Sequence, residues 1–221
     1  MERITWVVFA AAVLGFPVGM ASAGLTYSRS ATAPTVDGED IANLTTYDVG
    51  DPIASDEPAL GQSFTTGGNA VGYDLDAITV QNTSYSDGTD MDYRLRVVPV
   101  SGSTLGTPLL DDTVTGCVPD PDEYVTFTFD TSIHLNPSTQ YAFDLASTSS
   151  FVIDWALARD TNSTYSEGTA YRSPASGDQP ADSTFSDYTG DRVFHLNMTP
   201  EPATLALLAV GGLATLMRRR K

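Results

Sequence analysis

Apolar and polar side chains alternate with period two through the middle of the chain. In "DYRLRVVPV" this puts Tyr93, Leu95 and Val97 on one face, with Arg94 and Arg96 on the other. "EYVTFTFDTSIHL" sets Val125, Phe127 and Phe129 against Thr126 and Thr128. "TQYAFDLAS" aligns Tyr141, Phe143 and Leu145; "FVIDWALARD" aligns Phe151, Ile153, Trp155 and Leu157. "DRVFHLNMT" opposes Phe194, Leu196 and Met198 to His195 and Asn197, while "YDLDAITVQN" and "GQSFTTG" complete the set. Such segments, rich in β-branched and aromatic residues, predict half-buried strands. Turn-forming stretches such as "SYSDGTD", "SGSTLGTP", "GCVPDPDE" and "NPST" separate them. Many strands with one wet face predict two packed antiparallel sheets. The expected fold is all-β, an antiparallel β-sandwich of jelly-roll-like type, over residues 59–199.

Two stretches lack this alternation. Residues 24–58 read as an acidic, turn-rich lead-in, and 173–191 as a long surface loop. No fixed repeat and no linker divides the body, so one domain is expected.

The two ends differ in kind from the middle. At the start, Arg3 precedes an apolar stretch from Ile4 to about Val18, and Ala21-Ser22-Ala23 supplies small residues at a cleavage site. This is the layout of a secretory signal over residues 1–23, cut by signal peptidase after Ala21 and Ala23 have been read. At the other end, Ala203 to Met217 form an uncharged run of 15 residues, followed by Arg218, Arg219, Arg220 and Lys221. As a helix the run would extend ~23 Å, less than the ~30 Å of a bilayer's hydrocarbon core. Four cations fix its far end in the cytoplasm, which leaves the body outside, as the signal segment also implies. Pro200-Glu201-Pro202 precedes the run and interrupts any helix entering it.

Motif, short hydrophobic helix and basic tail, in that order at Thr199–Lys221, resemble the PEP-CTERM sorting signal. The resemblance implies recognition by an exosortase, a membrane-embedded enzyme of Gram-negative bacteria that make exopolysaccharide. It implies transient anchoring in the inner membrane, removal of the tail, and delivery of the body to the cell surface or extracellular matrix. A second resemblance lies in the body. Gln62–Thr65, Leu135–Tyr141 and Tyr165–Tyr171 are similar to elements of small choice-of-anchor type domains, which implies a sandwich fold and no activity.

Charge narrows the partners. The chain carries 28 Asp+Glu against 11 Lys+Arg, net −17. Residues 1–23 are neutral and 200–221 carry +3, so residues 24–199 hold −20, with six Arg and no Lys. Such a surface repels phosphate backbones, which excludes nucleic acid, and anionic lipids; divalent cations and neutral glycans are not repelled. Cys117 is the lone cysteine, so no intramolecular disulfide forms and the fold relies on its core.

Candidate chemistry in the body is sparse. His134 and His195 both fall on polar strand faces and read as solvated side chains. Cys117 reads as a turn residue with no histidine placed beside it. There is no G-x-S-x-G, no H-E-x-x-H and no Gly-rich phosphate loop. Asp87, Asp90 and Asp92 in "DGTDMD", and Asp120, Asp122 and Glu123 in "DPDE", are hard oxygen donors packed into loops, suited to a structural Ca²⁺. No other cofactor is expected. Tyr85, Tyr165, Tyr171 and Tyr188 fall in loop-like segments and would offer stacking platforms for sugar rings, Tyr165 and Tyr171 foremost. Three readings of the body stay open: a non-enzymatic structural or adhesive domain associated with exopolysaccharide, a carbohydrate-binding module, and a glycan-active hydrolase.

Overall fold

Strands account for nearly all regular structure in the computed structural model, which describes residues 24–53, 58–83, 91–117, 119–148, 155–163, 165–176 and 186–201. Numbered along the chain, the described residues form fifteen strands in three antiparallel sheets. The first has the spatial order β1 (Leu25–Ser30), β9 (Tyr124–Leu135), β5 (Tyr73–Gln81), β15 (Phe194–Pro200), β2 (Ile41–Asn43). The second runs β13 (Ser186–Asp187), β12 (Ala170–Ser176), β4 (Pro58–Thr65), β10 (Gln140–Ser147), β6 (Met91–Ser101), β7 (Thr104–Leu105), with β8 (Leu110–Cys117) also paired to β6. The third is small: β14 (Asp191–Arg192), β11 (Trp155–Asp160), β3 (Val49–Ile53). Among the described residues there is no helix, hence none long and apolar enough to cross a membrane. The signal segment 1–23 and the run 203–217 lie outside the described residues.

The alternation shows in the burial. Val125, Phe127 and Phe129 of β9, Ile78 and Val80 of β5, and Phe194 and Leu196 of β15 all face one core. Leu60 and Phe64 of β4, Tyr141, Phe143 and Leu145 of β10, and Tyr93, Leu95 and Val97 of β6 enter the same core from the other sheet. Two sheets closing on one apolar interior is the sandwich arrangement. Trp155 of the small sheet plugs its end, edge-on to Tyr93 at 4.7 Å and stacked with Phe127 at 6.0 Å between ring centroids. Phe151 and Ile153, expected on the same face, lie outside the described residues.

The lead-in differs from expectation. Residues 24–58 contribute β1, β2 and β3, paired to β9, β15 and β11 respectively. These strands are short, three to six residues each. A strand at a sheet margin needs backbone partners more than an apolar face, so its sequence carries little alternation.

The outer face of the second sheet is not wet either. One cross-strand row runs Tyr171↔Gly61, Gly61↔Asp144, Asp144↔Arg96. Arg96 holds Asp144 through two parallel bonds, Nε–H to Oδ1 at 2.7 Å and Nη2–H to Oδ2 at 2.8 Å. Both side chains are almost wholly buried, at 2% and 1% exposure. Tyr171 lies across the row because Gly61 has no side chain: a Cβ there would sit 2.4 Å from the Tyr171 ring. The tyrosine hydroxyl donates to Asp144 Oδ2 at 3.0 Å. Burial pushes the Asp144 carboxyl upward, while Arg96 and Tyr171 pull it back.

Removing one partner of this pair leaves a buried charge uncompensated. Asp144→Ala is therefore expected to cost about 3–5 kcal/mol of folding stability, read by urea denaturation. Arg96→Met with Asp144→Leu should lose much less than the single variant.

Candidate functional site

The last strand leads directly into the Pro-Glu-Pro motif, and its end is held at several points. Thr199 pairs with Asp74 and Pro200 with Tyr73, so the first residues of the motif are still sheet. Beyond the strand, Glu201 N–H donates to Gly72 O at 3.1 Å, and Asn69 Nδ2–H donates to Glu201 O at 3.4 Å. Gly72 has φ of +96°, and a Cβ there would meet Leu135 O at 2.5 Å. Only glycine allows this turn to approach both β9 and the motif so closely.

The Glu201 side chain turns back onto the sheet, where His134 Nδ1 lies 2.8 Å from its Oε1. Asp74 pairs directly with His134 across β5 and β9. One ligand atom each from Asp74, His134 and Glu201 all lie within 4.8 Å of one another. The Asp74 carboxyl is pushed up by burial and by the charge of Glu201, with His134 pulling it down. These three side chains are the group, among the described residues, whose donors would suit a metal ion.

A second clamp acts one turn of the ladder earlier. A bulge falls between Asn197 and Met198, which takes the Met198 N–H out of the ladder. Asp40 accepts that N–H through Oδ1 at 2.8 Å and contacts His195 Nε2 through Oδ2 at 2.9 Å. Burial raises the Asp40 carboxyl, but bonds from Met198, Asp37 and His195 outweigh it and hold it below the usual value. His195 is thus 3% exposed and partnered, which corrects its reading as a solvated side chain. The cause is Asp40, just before β2, whose carboxylate meets the imidazole on the side of β15 that alternation alone marks as wet. His134, at 48% side-chain exposure, is solvent-facing as expected.

A third feature lies in the small sheet. Arg159 and Arg192 pair directly across β11 and β14, and both reach the carboxylate of Asp51 on β3. Arg159 Nε–H donates to Asp51 Oδ2 at 2.7 Å, Arg192 Nη1–H donates to the same oxygen, and Arg172 Nη2 stands 4.0 Å from Oδ1. All three guanidinium groups face the Tyr188 ring, at 4.5, 4.4 and 5.9 Å from its centroid for Arg159, Arg172 and Arg192. Burial, partly offset by Asp51, lowers Arg192 to about 10, with Arg159 and Arg172 repelling its charge further. Burial also acts to raise Asp51, yet Arg159 and Arg192 hold its carboxyl below the ordinary value.

The remaining candidates separate. Tyr171, expected in a loop, is a fully buried residue of β12 and offers no face to a sugar. Tyr165 packs edge-on against Phe194 at 5.4 Å, which turns its ring into the core margin. Tyr188 is half-buried among the arginines, and Tyr85 lies outside the described residues. Asp92 Oδ1 accepts the Gly116 N–H at 3.1 Å; Asp87 and Asp90 lie outside the described residues. In "DPDE", Glu123 accepts the Asp120 N–H at 2.9 Å, Tyr47 donates to Asp122, and Arg29 stands 3.4 Å from both Asp120 and Glu123. Cys117 ends β8 in the core, not a turn, and burial pushes its thiol up to about 12, which makes it unreactive. Pro202, Arg218, Arg219, Arg220, Lys221, Ala21 and Ala23 lie outside the described residues. Asp40, Asp51 and Asp74 were not among the sequence candidates. The scarcity of cations is the one available signal: Arg159 sits in the largely apolar β11 and Arg192 directly before Val193 and Phe194, where a charge requires a partner.

Residues 199–221 match the PEP-CTERM protein-sorting motif. No curated protein matches the chain.

Because Asp51 has a lowered folded value, its stabilisation is present above the unfolded value of ~3.9 and is lost as pH falls through the folded value. Asp51→Asn should therefore be least stable relative to the unmodified protein at pH 7, by about 3–5 kcal/mol. That deficit should shrink toward pH 3 in urea titrations.

Proposed function

We propose that the chain is an exported bacterial surface or extracellular-matrix protein, sorted and processed by an exosortase, with a non-enzymatic structural or adhesive β-sandwich body associated with exopolysaccharide. The match of residues 199–221 to the sorting motif carries the reading. Its first residues are the last residues of β15, so motif and folded body are continuous. Signal peptidase would remove residues 1–23. The helix 203–217 and the cations 218–221 would then hold the chain in the inner membrane, body outside, until the tail is cut. A body of −20 charge favours neutral polysaccharide over anionic polymers. A structural Ca²⁺ at Asp87, Asp90 and Asp92 belongs to the same proposal.

A carbohydrate-binding role is the second reading, and Tyr188 favours it. Of the loop tyrosines it is the one described as half-buried yet clear of the main core, with a ring position set by three guanidinium groups.

Mass spectrometry of the protein from cells with a working exosortase should show a mature form lacking Arg218–Lys221. Persistence of those residues would sink the sorting role. Retention of the mature protein on the host's neutral exopolysaccharide should survive Tyr188→Ala if the body is structural. It should fall at least ~10-fold, the loss of a stacking contact of about 1.4 kcal/mol, if the body is a binding module.

A further inference from the structure

The Pro-Glu-Pro glutamate is not free on the surface. Its carboxylate meets His134 and Asp74, a set that contains two acids and one imidazole, and no arginine makes an ion pair with either acid among the described residues. We infer that Asp74, His134 and Glu201 form a divalent-cation site that fastens the sorting motif to the end of the sandwich.

The geometry supports it in three respects. Asp74 and His134 are set side by side by the register of two central strands, so two of the three donors are positioned before the tail arrives. Glu201 is delivered to them by its own backbone bonds to Gly72 and Asn69. The donors then lie within 4.8 Å of one another. Bonds of about 2.0–2.1 Å in tetrahedral geometry would bring them to about 3.3 Å apart. His134 and Glu201, exposed by 48% and 29%, have room for the rotamer changes that closure requires.

Donor chemistry selects the ion. One imidazole nitrogen with two carboxylates suits Zn²⁺, with water in the fourth position. Ca²⁺ requires six to eight oxygens and has little use for imidazole. A site of this kind is distinct from any calcium site in the acidic loops. Its consequence is local: a bound ion adds a cross-link between Glu201 and β5–β9, and the motif would have to leave that link before an enzyme could read the Pro-Glu-Pro segment in extended form. The site exists or fails independently of whether an exosortase cuts the chain.

The test is calorimetric titration of the full chain, in detergent micelles, with ZnCl₂ and separately with CaCl₂. One equivalent of Zn²⁺ should bind saturably. His134→Ala and Glu201→Gln should each weaken it by at least ~10-fold, as loss of a ligand or its support does, while Asp120→Asn leaves it unchanged. Zn²⁺ should also slow hydrogen exchange of the Glu201 amide in the unmodified protein and not in His134→Ala; Ca²⁺ should do neither. Absence of saturable Zn²⁺ binding, or binding indifferent to both His134→Ala and Glu201→Gln, overturns the proposal. His134 and Glu201 are exposed enough that their variants keep the fold, which circular dichroism verifies.

Discussion

Pairing of scarce cations with buried carboxylates is the constraint on which the rest of this structure depends. Residues 24–199 hold six arginines against a large excess of acids, and every one of the six makes an ion pair. Arg96 and Asp144 allow the second sheet to be covered on its outer face as well as its core face. Arg159 and Arg192 would repel each other across β11 and β14, and Asp51 turns that juxtaposition into a side-chain bond from β3 to both strands. With its arginines committed in this way, the surface is left acidic.

This explains which parts of the fold were legible in the sequence. Strands with one apolar face, such as β9 with Val125, Phe127 and Phe129, announce themselves by alternation because the pleat requires it. The β6 alternation was equally visible, yet Arg96 on its polar face is buried. Periodicity separates two faces but does not say whether a third layer covers one of them. Tyr171 failed for the same reason: "YSEGTAYRS" reads as a turn, and only the absence of a side chain at Gly61 allows its ring to lie down over β4. The short strands β1 to β3 left little trace, since margins of sheets need backbone partners and tolerate polar sequence.

The candidate site divides along a similar line. Pro200 and Glu201 were legible because a linear motif is read by another protein and must be encoded contiguously. Asp74 and His134 were not legible as its partners, because sixty residues separate two positions that only the β5–β9 register makes neighbours. Alternation alone assigns His195 to solvent, because Asp40 lies in a segment with no pattern to suggest that it returns to cover β15.

The place of β15 in the sheet gives these contacts a mechanical sense. It has β5 on one side along its length and β2 on the other over Phe194–Leu196, and its last residues are the first of the motif. A pull applied along the strand at its C-terminal end loads the β5–β15 hydrogen bonds together, in shear, whereas a pull at right angles to a marginal strand would open them one at a time. The bulge at Asn197/Met198 is the weak point of that ladder, and it is where Asp40 supplies a bond from outside the sheet. Beyond it, Glu201 holds the final residues through Gly72, Asn69 and His134. The folded body can therefore bear load through its last strand up to the edge of the motif, while the motif itself is released by breaking a few contacts at one end of the sheet. A domain that must be tethered first and cut afterwards needs both properties at the same boundary.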